Sequence, residues 1–280
     1  MRGNIVVKAL IEEDIMIKLL ATDVDGTLVK DGSAEIYPEF IEKIKELREK
    51  DIIVCIASGR QSTSVERMFE EIKDDLIFIA SNGAHVKCRG VDIHVTEMNS
   101  DYVTEITHEL RGTPDCNIIW EGPGVTYIEP GNDESFVKLL TEGYRNHVEQ
   151  VDDILSAGKQ IIKVSAFHRP SIRALGEGQI IPKWGDKVKA TMAGEDWIDM
   201  MDKSVDKGAA LGFIQKLFDI SPEETMVFGD NNNDIGMLDV AVHSYAVETA
   251  PDAVKAHANN ICPSWSEKGV YKVLAEGINA

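Results

Sequence analysis

LLATDVDGTLV, residues 19–29, sets an apolar run against two carboxylates one residue apart, Asp23 and Asp25, and follows them with Gly26 and Thr27. The run that ends at Asp23 has the length and side chains of a buried strand. Carboxylates at the edge of an apolar core repel one another unless a cation bridges them or water separates them. In an extended segment positions i and i+2 point the same way, so Asp23, Asp25 and Thr27 share one side of the strand's end. Taken alone, the pattern also describes a strand that leaves through an Asp-Gly turn.

The surrounding chain alternates short apolar runs with amphipathic helices. IKLLATD (17–23), IIVCIAS (52–58) and LIFIASNG (76–83) read as strands. PEFIEKIKELREK (38–50) places Phe40, Ile44 and Leu47 on one helical face behind Pro38, and SVERMFEEIK (64–73) reads as a second helix. Near-continuous apolar strands separated by helices predict a parallel sheet covered on both faces, with ligands bound at the carboxyl ends of the strands.

Between residues 84 and 187 the pattern changes. Alternating segments in VDIHVT (91–96), VTYIEP (125–130) and IIKVSAFH (161–168) mix with helices in DESFVKLLTEGYRNH (133–147) and SIRALGEG (171–178). The first rhythm returns in DKGAALGFIQKLF (206–218), where Leu211, Ile214 and Leu217 form an apolar face, and in SPEETMVFGD (221–230), where Ser221, Pro222 and Glu224 form a capping box before a strand. SYAV, PDAVKAHA, NICP and KGVYKVLAEG add two more units. The fold class is therefore α/β, a doubly wound, Rossmann-like parallel sheet over 16–83 and 188–280, with an α+β domain inserted at 84–187. Residues 1–15 precede a natural first strand and are expected to be an extension that adds nothing to function.

Three further elements fall at strand ends. ASGR places Ser58 after the second strand, where its hydroxyl and the following N–H groups suit a phosphate and equally suit a helix N-cap. Lys207 follows the capping candidate Asp206 in the first turn of a helix, against the dipole, which a negative ligand or the carboxylates would relieve; a solvated surface lysine is the other reading. VFGDNNNDIGML (227–238) puts Asp230 at a strand end and Asp234 in the loop behind it. That loop is not an EF-hand, because its sixth position is Ile235 and its twelfth Ala241, where glycine and glutamate are required. It can instead complete, with Asp23, an oxygen site for a hard cation such as Mg²⁺.

Composition narrows the partners. With 29 basic and 48 acidic residues the net charge is −19, which argues against nucleic acid and anionic membrane surfaces. No apolar run reaches the length of a membrane helix. Cys55, Cys88, Cys116 and Cys262 show no CxxC pair and are expected to be reduced thiols in a cytoplasmic protein.

Together, DVDGT (23–27), Ser58 in ASGR, Lys207 in DKG and GDNNND (229–234) resemble, in order, the four motifs of the haloacid dehalogenase superfamily. The large insertion between the second and third resembles its Cof-type branch, in which a mobile cap closes over the site. SNGA (81–84), NDIGML (233–238) and KGV (268–270) also fit; Thr249 in ETAPDAVK departs from the family's usual asparagine. The resemblance implies a Mg²⁺-dependent phosphoric monoester hydrolase acting on small phosphorylated metabolites, either sugar phosphates or phosphorylated cofactors. Asp23 would be the nucleophile that forms an aspartyl-phosphate and Asp25 the acid and base, with Thr27, Ser58 and Lys207 on the phosphoryl group. The metal would be held by Asp23, the backbone carbonyl of Asp25, Asp230 and Asp234, and the substrate by Gly26, Gly59, Arg60, Asn82 and Asn233. In the insertion, Trp120, Lys163, His168 and Trp184 are candidates both for contact with the leaving group and for packing. A phosphomutase and a non-catalytic phosphosugar-binding regulator are the alternatives, and the intact set of motif residues favours the hydrolase.

Overall fold

The computed structural model describes residues 16–33, 35–168, 172–193 and 196–277; the extension expected at 1–15 lies outside the described residues. The strands are β1 (Leu19–Asp23), β2 (Ile53–Ala57), β3 (Leu76–Ala80), β4 (His85–Cys88), β5 (Val91–Val95), β6 (Asn117–Gly122), β7 (Val125–Ile128), β8 (Val148–Gln150), β9 (Lys163–Phe167), β10 (Val188–Ala193), β11 (Trp197–Asp202), β12 (Thr225–Gly229), β13 (His243–Val247) and β14 (Asn260–Cys262). The helices are α1 (Pro38–Glu49), α2 (Ser62–Met68), α3 (Ser100–Arg111), α4 (Glu134–Lys138), α5 (Ile172–Leu175), α6 (Ile181–Trp184), α7 (Lys207–Phe218), α8 (Ile235–Asp239), α9 (Asp252–Lys255) and α10 (Gly269–Glu276). An eight-stranded sheet runs in the order β14-β13-β12-β1-β2-β3-β4-β5 and a six-stranded sheet in the order β10-β11-β9-β6-β7-β8.

The chain divides into two compact units, the described residues up to Cys55 with those from Leu211 onward, and Ile56–Ala210. In the first, β1 pairs in parallel with β12 from Leu19↔Thr225 to Thr22↔Phe228, and β13 and β14 continue the parallel run. Every residue of β1 is buried, which is why Leu19, Leu20 and Ala21 are apolar whichever face of the sheet they point to. Pro38 sits in the first turn of α1, and Phe40, Ile41, Ile44 and Leu47 form its buried stripe. The capping box on Ser221 and Glu224 is present and leads into β12.

In the second unit β4 is antiparallel to β3 and β5 is antiparallel to β4, so the strands after β3 depart from the parallel pattern. The six-stranded sheet is antiparallel except for the parallel pair β7 and β8. Its core contains Trp120, Val164, Trp184 and Met200. The helix over 64–73 is shorter than its pattern suggests: α2 stops at Met68, and buried Phe69 turns inward beside Phe78, ring centroids 6.2 Å apart. The helix over 133–147 breaks into α4 and a π-turn at Leu139–Gly143. A further helix, α3, was not foreseen. Asn99 caps it by accepting from the N–H groups of Asp101 and Tyr102, and it buries Val103, Ile106, Thr107 and Leu110.

Cys55, Cys88, Cys116 and Cys262 carry thiols that are not joined in disulfides. Burial pushes the Cys116 thiol up to about 11 and that of Cys262 up to about 12. Among the described residues no helix is long and apolar enough to cross a membrane.

Phe40 is fully buried on the inner face of α1. Phe40→Ala should cost about 3–5 kcal/mol. A urea unfolding midpoint equal to the wild type's would contradict that packing.

Candidate active site

The residues singled out in the sequence fall into two groups, one in each compact unit. In the first unit, Asp23, Asp230 and Asp234 each offer a carboxylate oxygen, and the three oxygens lie within 4.8 Å of one another. Asp23 ends β1 and Asp230 follows β12, its parallel neighbour, so the register of two strands puts both carboxylates at one sheet edge. Asp234 is completely buried and its Oδ2 accepts the N–H groups of Asp230 at 2.9 Å and Asn231 at 3.0 Å. The Asn231 side chain in turn accepts from Asn232 at 2.8 Å, and Asn233 is half-buried in the same turn. The Asp-Asn run thus folds into a tight turn around its own last carboxylate.

Thr27 is buried and donates its hydroxyl to Asp230 Oδ1 at 2.8 Å. It orients a metal-ligand candidate, a role the alternation of D-x-D-x-T does not reveal. Asp25 is half-buried; its Oδ1 accepts the N–H of Gly32 at 3.0 Å, and its carboxylate lies outside the triad. Gly26 has φ +86°, and a Cβ there would fall 2.3 Å from Asp230 Oδ2. Glycine is required on both counts.

In the second unit Ser58 and Asn82 are buried and Arg60 is half-buried. Ser58 is not a helix cap: α2 starts at Ser62 after Gln61, and Ser58 Oγ accepts the Arg60 N–H at 3.1 Å within the preceding loop. Asn82 lies in the turn after β3 with φ +57°, and its Oδ1 would lie 3.1 Å from a Cβ on Gly59. Gly83, at φ +100°, sits so close to the start of α7 that a Cβ would fall 2.5 Å from the Asp206 carbonyl oxygen and 3.2 Å from the Lys207 nitrogen. Asp206 caps α7 through Oδ1, which accepts the N–H of Gly208 at 2.8 Å. Lys207 is 1% exposed, so a solvated surface lysine is excluded. In one unit the fold gathers Ser58, Gly59, Arg60, Asn82 and Lys207 into interlocked loops, and in the other Asp23, Gly26, Thr27, Asp230 and Asp234 into an acidic edge.

Three carboxylate oxygens this close repel by about 3 kcal/mol per pair at an effective dielectric of about 20. Two of the three residues are buried. The donor set is all oxygen and anionic, which fits a hard divalent cation and not a soft transition metal.

A sequence profile described as haloacid dehalogenase-like hydrolase matches residues 20–274. The chain belongs to the haloacid dehalogenase-like hydrolases. Within this family it is similar to the 5-amino-6-(5-phospho-D-ribitylamino)uracil phosphatase YbjI of Escherichia coli (strain K12), with 30% identity over 92% of this chain and 95% of that protein. The phosphatase YwtE of Bacillus subtilis (strain 168), which carries the same substrate name, is 25% identical over 90% of this chain and 95% of its own length. A crystal structure from Eubacterium rectale covers 93% of this chain and 99% of its own, with 38% identity and a TM-score of 0.85. This haloacid dehalogenase-like hydrolase is a phosphatase, a phosphoric monoester hydrolase of the Cof-type branch, with a mainly parallel core sheet and a separate mixed sheet.

Of the four candidates in the insertion, Trp120 and Trp184 are each 1% exposed and serve packing; their Nε1 groups donate to Thr107 Oγ1 and Glu109 Oε2 at 2.9 Å. His168 is half-buried, and its backbone N–H donates to the Asp196 carbonyl at 3.1 Å. Lys163 is buried against Glu121 at 2.9 Å and Asp199 at 3.6 Å. Burial alone would push its ammonium's pKa down, but the Asp199 and Glu121 carboxylates outweigh burial and hold it above the usual lysine range. The sequence reading missed Glu121 and Asp199; the available signal was a carboxylate inside each of two largely apolar strands, NIIWEG and WIDMMD.

Gly26→Ala would push the Asp230 carboxylate out of its place. Affinity for Mg²⁺ should fall about ten- to a hundredfold. Calorimetric titration of Mg²⁺ into both proteins checks this, and equal affinities would contradict the close approach.

Proposed function

We propose that this chain hydrolyses small phosphate monoesters with the help of Mg²⁺, taking as substrate a phosphate carried at the end of a polyol chain, of the kind named for the two curated relatives. The observation that carries the reading is the Asp23–Asp230–Asp234 cluster at the ends of β1 and β12, with Asp25 two residues beyond the first of these carboxylates. The substrate class is supported by the relatives in Escherichia coli and Bacillus subtilis, both of which are phosphatases of 5-amino-6-(5-phospho-D-ribitylamino)uracil.

Each residue has a task in this reading. Asp23 attacks phosphorus, the bond from phosphorus to the ester oxygen breaks, and the phosphoryl group resides on the Asp23 carboxylate. Asp25 gives a proton to the departing oxygen and later takes one from the water that cleaves the aspartyl-phosphate. Thr27 fixes Asp230, and Asp234 fixes the loop that carries Asp230. Ser58, Gly59, Arg60, Asn82, Asn233 and the ammonium of Lys207 receive the phosphoryl oxygens. Asp23, Asp230, Asp234 and the carbonyl of Asp25 are the ligands for Mg²⁺, which when bound supplies the positive charge that lets an anionic nucleophile approach an anionic phosphate. Residues 84–187 serve as the domain that reads the leaving group, and the four cysteine thiols suit a cytoplasmic enzyme.

The test is phosphate release from a panel containing the ribitylaminouracil phosphate, several sugar phosphates, pyridoxal phosphate and an aryl phosphate. Excess chelator should abolish release, Asp23→Asn should lower turnover roughly 10⁴-fold or more, and Asp25→Asn roughly 10²- to 10⁴-fold. The polyol phosphate should rank first. Undiminished turnover in chelator would overturn the metal's role, and a folded protein that binds an ester without releasing phosphate would favour the regulator.

A further inference from the structure

Buried polar groups of the Ile56–Ala210 unit meet at one end of the six-stranded sheet. β9 lies between β6 and β11, with Lys163 opposite Glu121 on one side and Met201 on the other, and Ser165 opposite Asp199. Strand alternation puts Lys163 and Ser165 on one face, while Val164 and Ala166 enter the apolar core on the other. Lys163 Nζ lies 2.9 Å from Glu121 Oε2 and 3.6 Å from Asp199 Oδ2, and donates to the carbonyl of Gly59 at 3.4 Å. Ser165 donates to Asp199 at 2.6 Å, and the Ser81 hydroxyl donates to Glu121 Oε1. Glu121, Lys163 and Asp199 are 2%, 6% and 8% exposed.

Two of these contacts leave the sheet. Gly59 and Ser81 lie in the loops after β2 and β3, which are themselves joined: the Ser81 N–H donates to the Arg60 carbonyl at 2.9 Å and the Asn82 N–H to the Ser58 carbonyl at 3.1 Å. Ser81 and Asn82 have φ of +50° and +57°, a conformation that consecutive non-glycine residues keep only when their surroundings hold them there. Glu121 grips one loop through Ser81, and Lys163 grips the other through Gly59. An apolar pair would stabilise this sheet face at least as well as buried charges do. What the charges add is direction, because the ammonium points its donors at fixed acceptors on three separate segments.

We propose that Lys163, paired with Glu121, is a positioning residue for phosphoryl transfer that holds the Ser58–Arg60 loop and the Ser81–Gly83 turn in the geometry that receives the phosphate. The role of that loop rests on the phosphatase reading above; the geometry of the pair does not.

The test compares the full chain with Lys163→Met, Lys163→Arg and the double variant Lys163→Met/Glu121→Gln. The double variant removes both charges of the pair together, so it covers the case in which the single variant fails to fold. Initial rates with p-nitrophenyl phosphate and Mg²⁺ are measured with inorganic phosphate as inhibitor, and normalised to folded protein by circular dichroism. Misplacing the loop should lower kcat/KM about thirtyfold and weaken inhibition by phosphate about tenfold, with partial recovery in Lys163→Arg. Folded variants with the wild-type phosphate inhibition constant and kcat/KM would overturn the proposal and leave the pair a structural role alone. If the wild type releases no phosphate from any ester, the phosphatase reading fails. Calorimetric binding of inorganic phosphate to the same proteins then decides the positioning role, with equal affinities overturning it and weaker binding by the variants supporting it.

Discussion

Three carboxylates held within 4.8 Å of one another form the constraint around which the first unit is organised. Their repulsion favours a structure in which one of them swings away, and the fold opposes this by securing each from a different direction. Asp23 is carried by a fully buried strand. Asp230 is held by the Thr27 hydroxyl, and Asp234 by two N–H groups of its own loop. Such crowding also dictates which residues can stand nearby. Gly229 is needed because a Cβ would lie 2.5 Å from the Cβ of Asp234, just as Gly26 is needed beside Asp230. Glycines in VDGT and VFGD are therefore steric consequences of bringing these carboxylates together.

The second unit presents the opposite difficulty, that of keeping cations out of water. Lys207 is fully buried in the first turn of α7, where the helix dipole disfavours a positive charge by roughly 0.3–1 kcal/mol. Lys163 is almost as buried, and two carboxylates hold its proton. Neither position would be chosen for stability, since burying charge costs more than the pairing returns. Both lysines stand beside the loops after β2 and β3, Lys207 through the contact of its backbone with Gly83 and Lys163 through Gly59.

The parts of this arrangement legible in the sequence were those with a local signature. β1 shows itself because a strand buried on both faces is uniformly apolar, and α1 because Pro38 and a four-residue spacing mark its start and its inner face. DVDGT and GDNNND stand out because carboxylates at strand ends are conspicuous. Relations that depend on register were not legible. Glu121 meets Lys163 because β6 and β9 pair at those two residues, 42 positions apart in the chain, and no spacing rule reports it. The same holds for Thr27, whose hydroxyl faces Asp230 because β1 lies beside β12. The helix α3 had the spacing but carried threonine and tyrosine among its apolar positions, and its boundary signals were only Asn99 at the start and Gly112 at the end.

The close approach of Gly83 to the Asp206 carbonyl bears on how such a chain can diversify. The chain from residue 84 to residue 205 begins and ends at that contact, so the excursion is a loop whose ends are already closed. For a closed loop the entropy of closure rises only with the logarithm of length, and doubling its length costs about 0.6 kcal/mol. Such a segment can be lengthened between its strands with little penalty, provided glycine remains at the pinch and the strands that carry Glu121 and Lys163 keep their register. One missing Cβ thus sets where the excursion is anchored, while Glu121 and Lys163 tie its sheet back to the loops after β2 and β3.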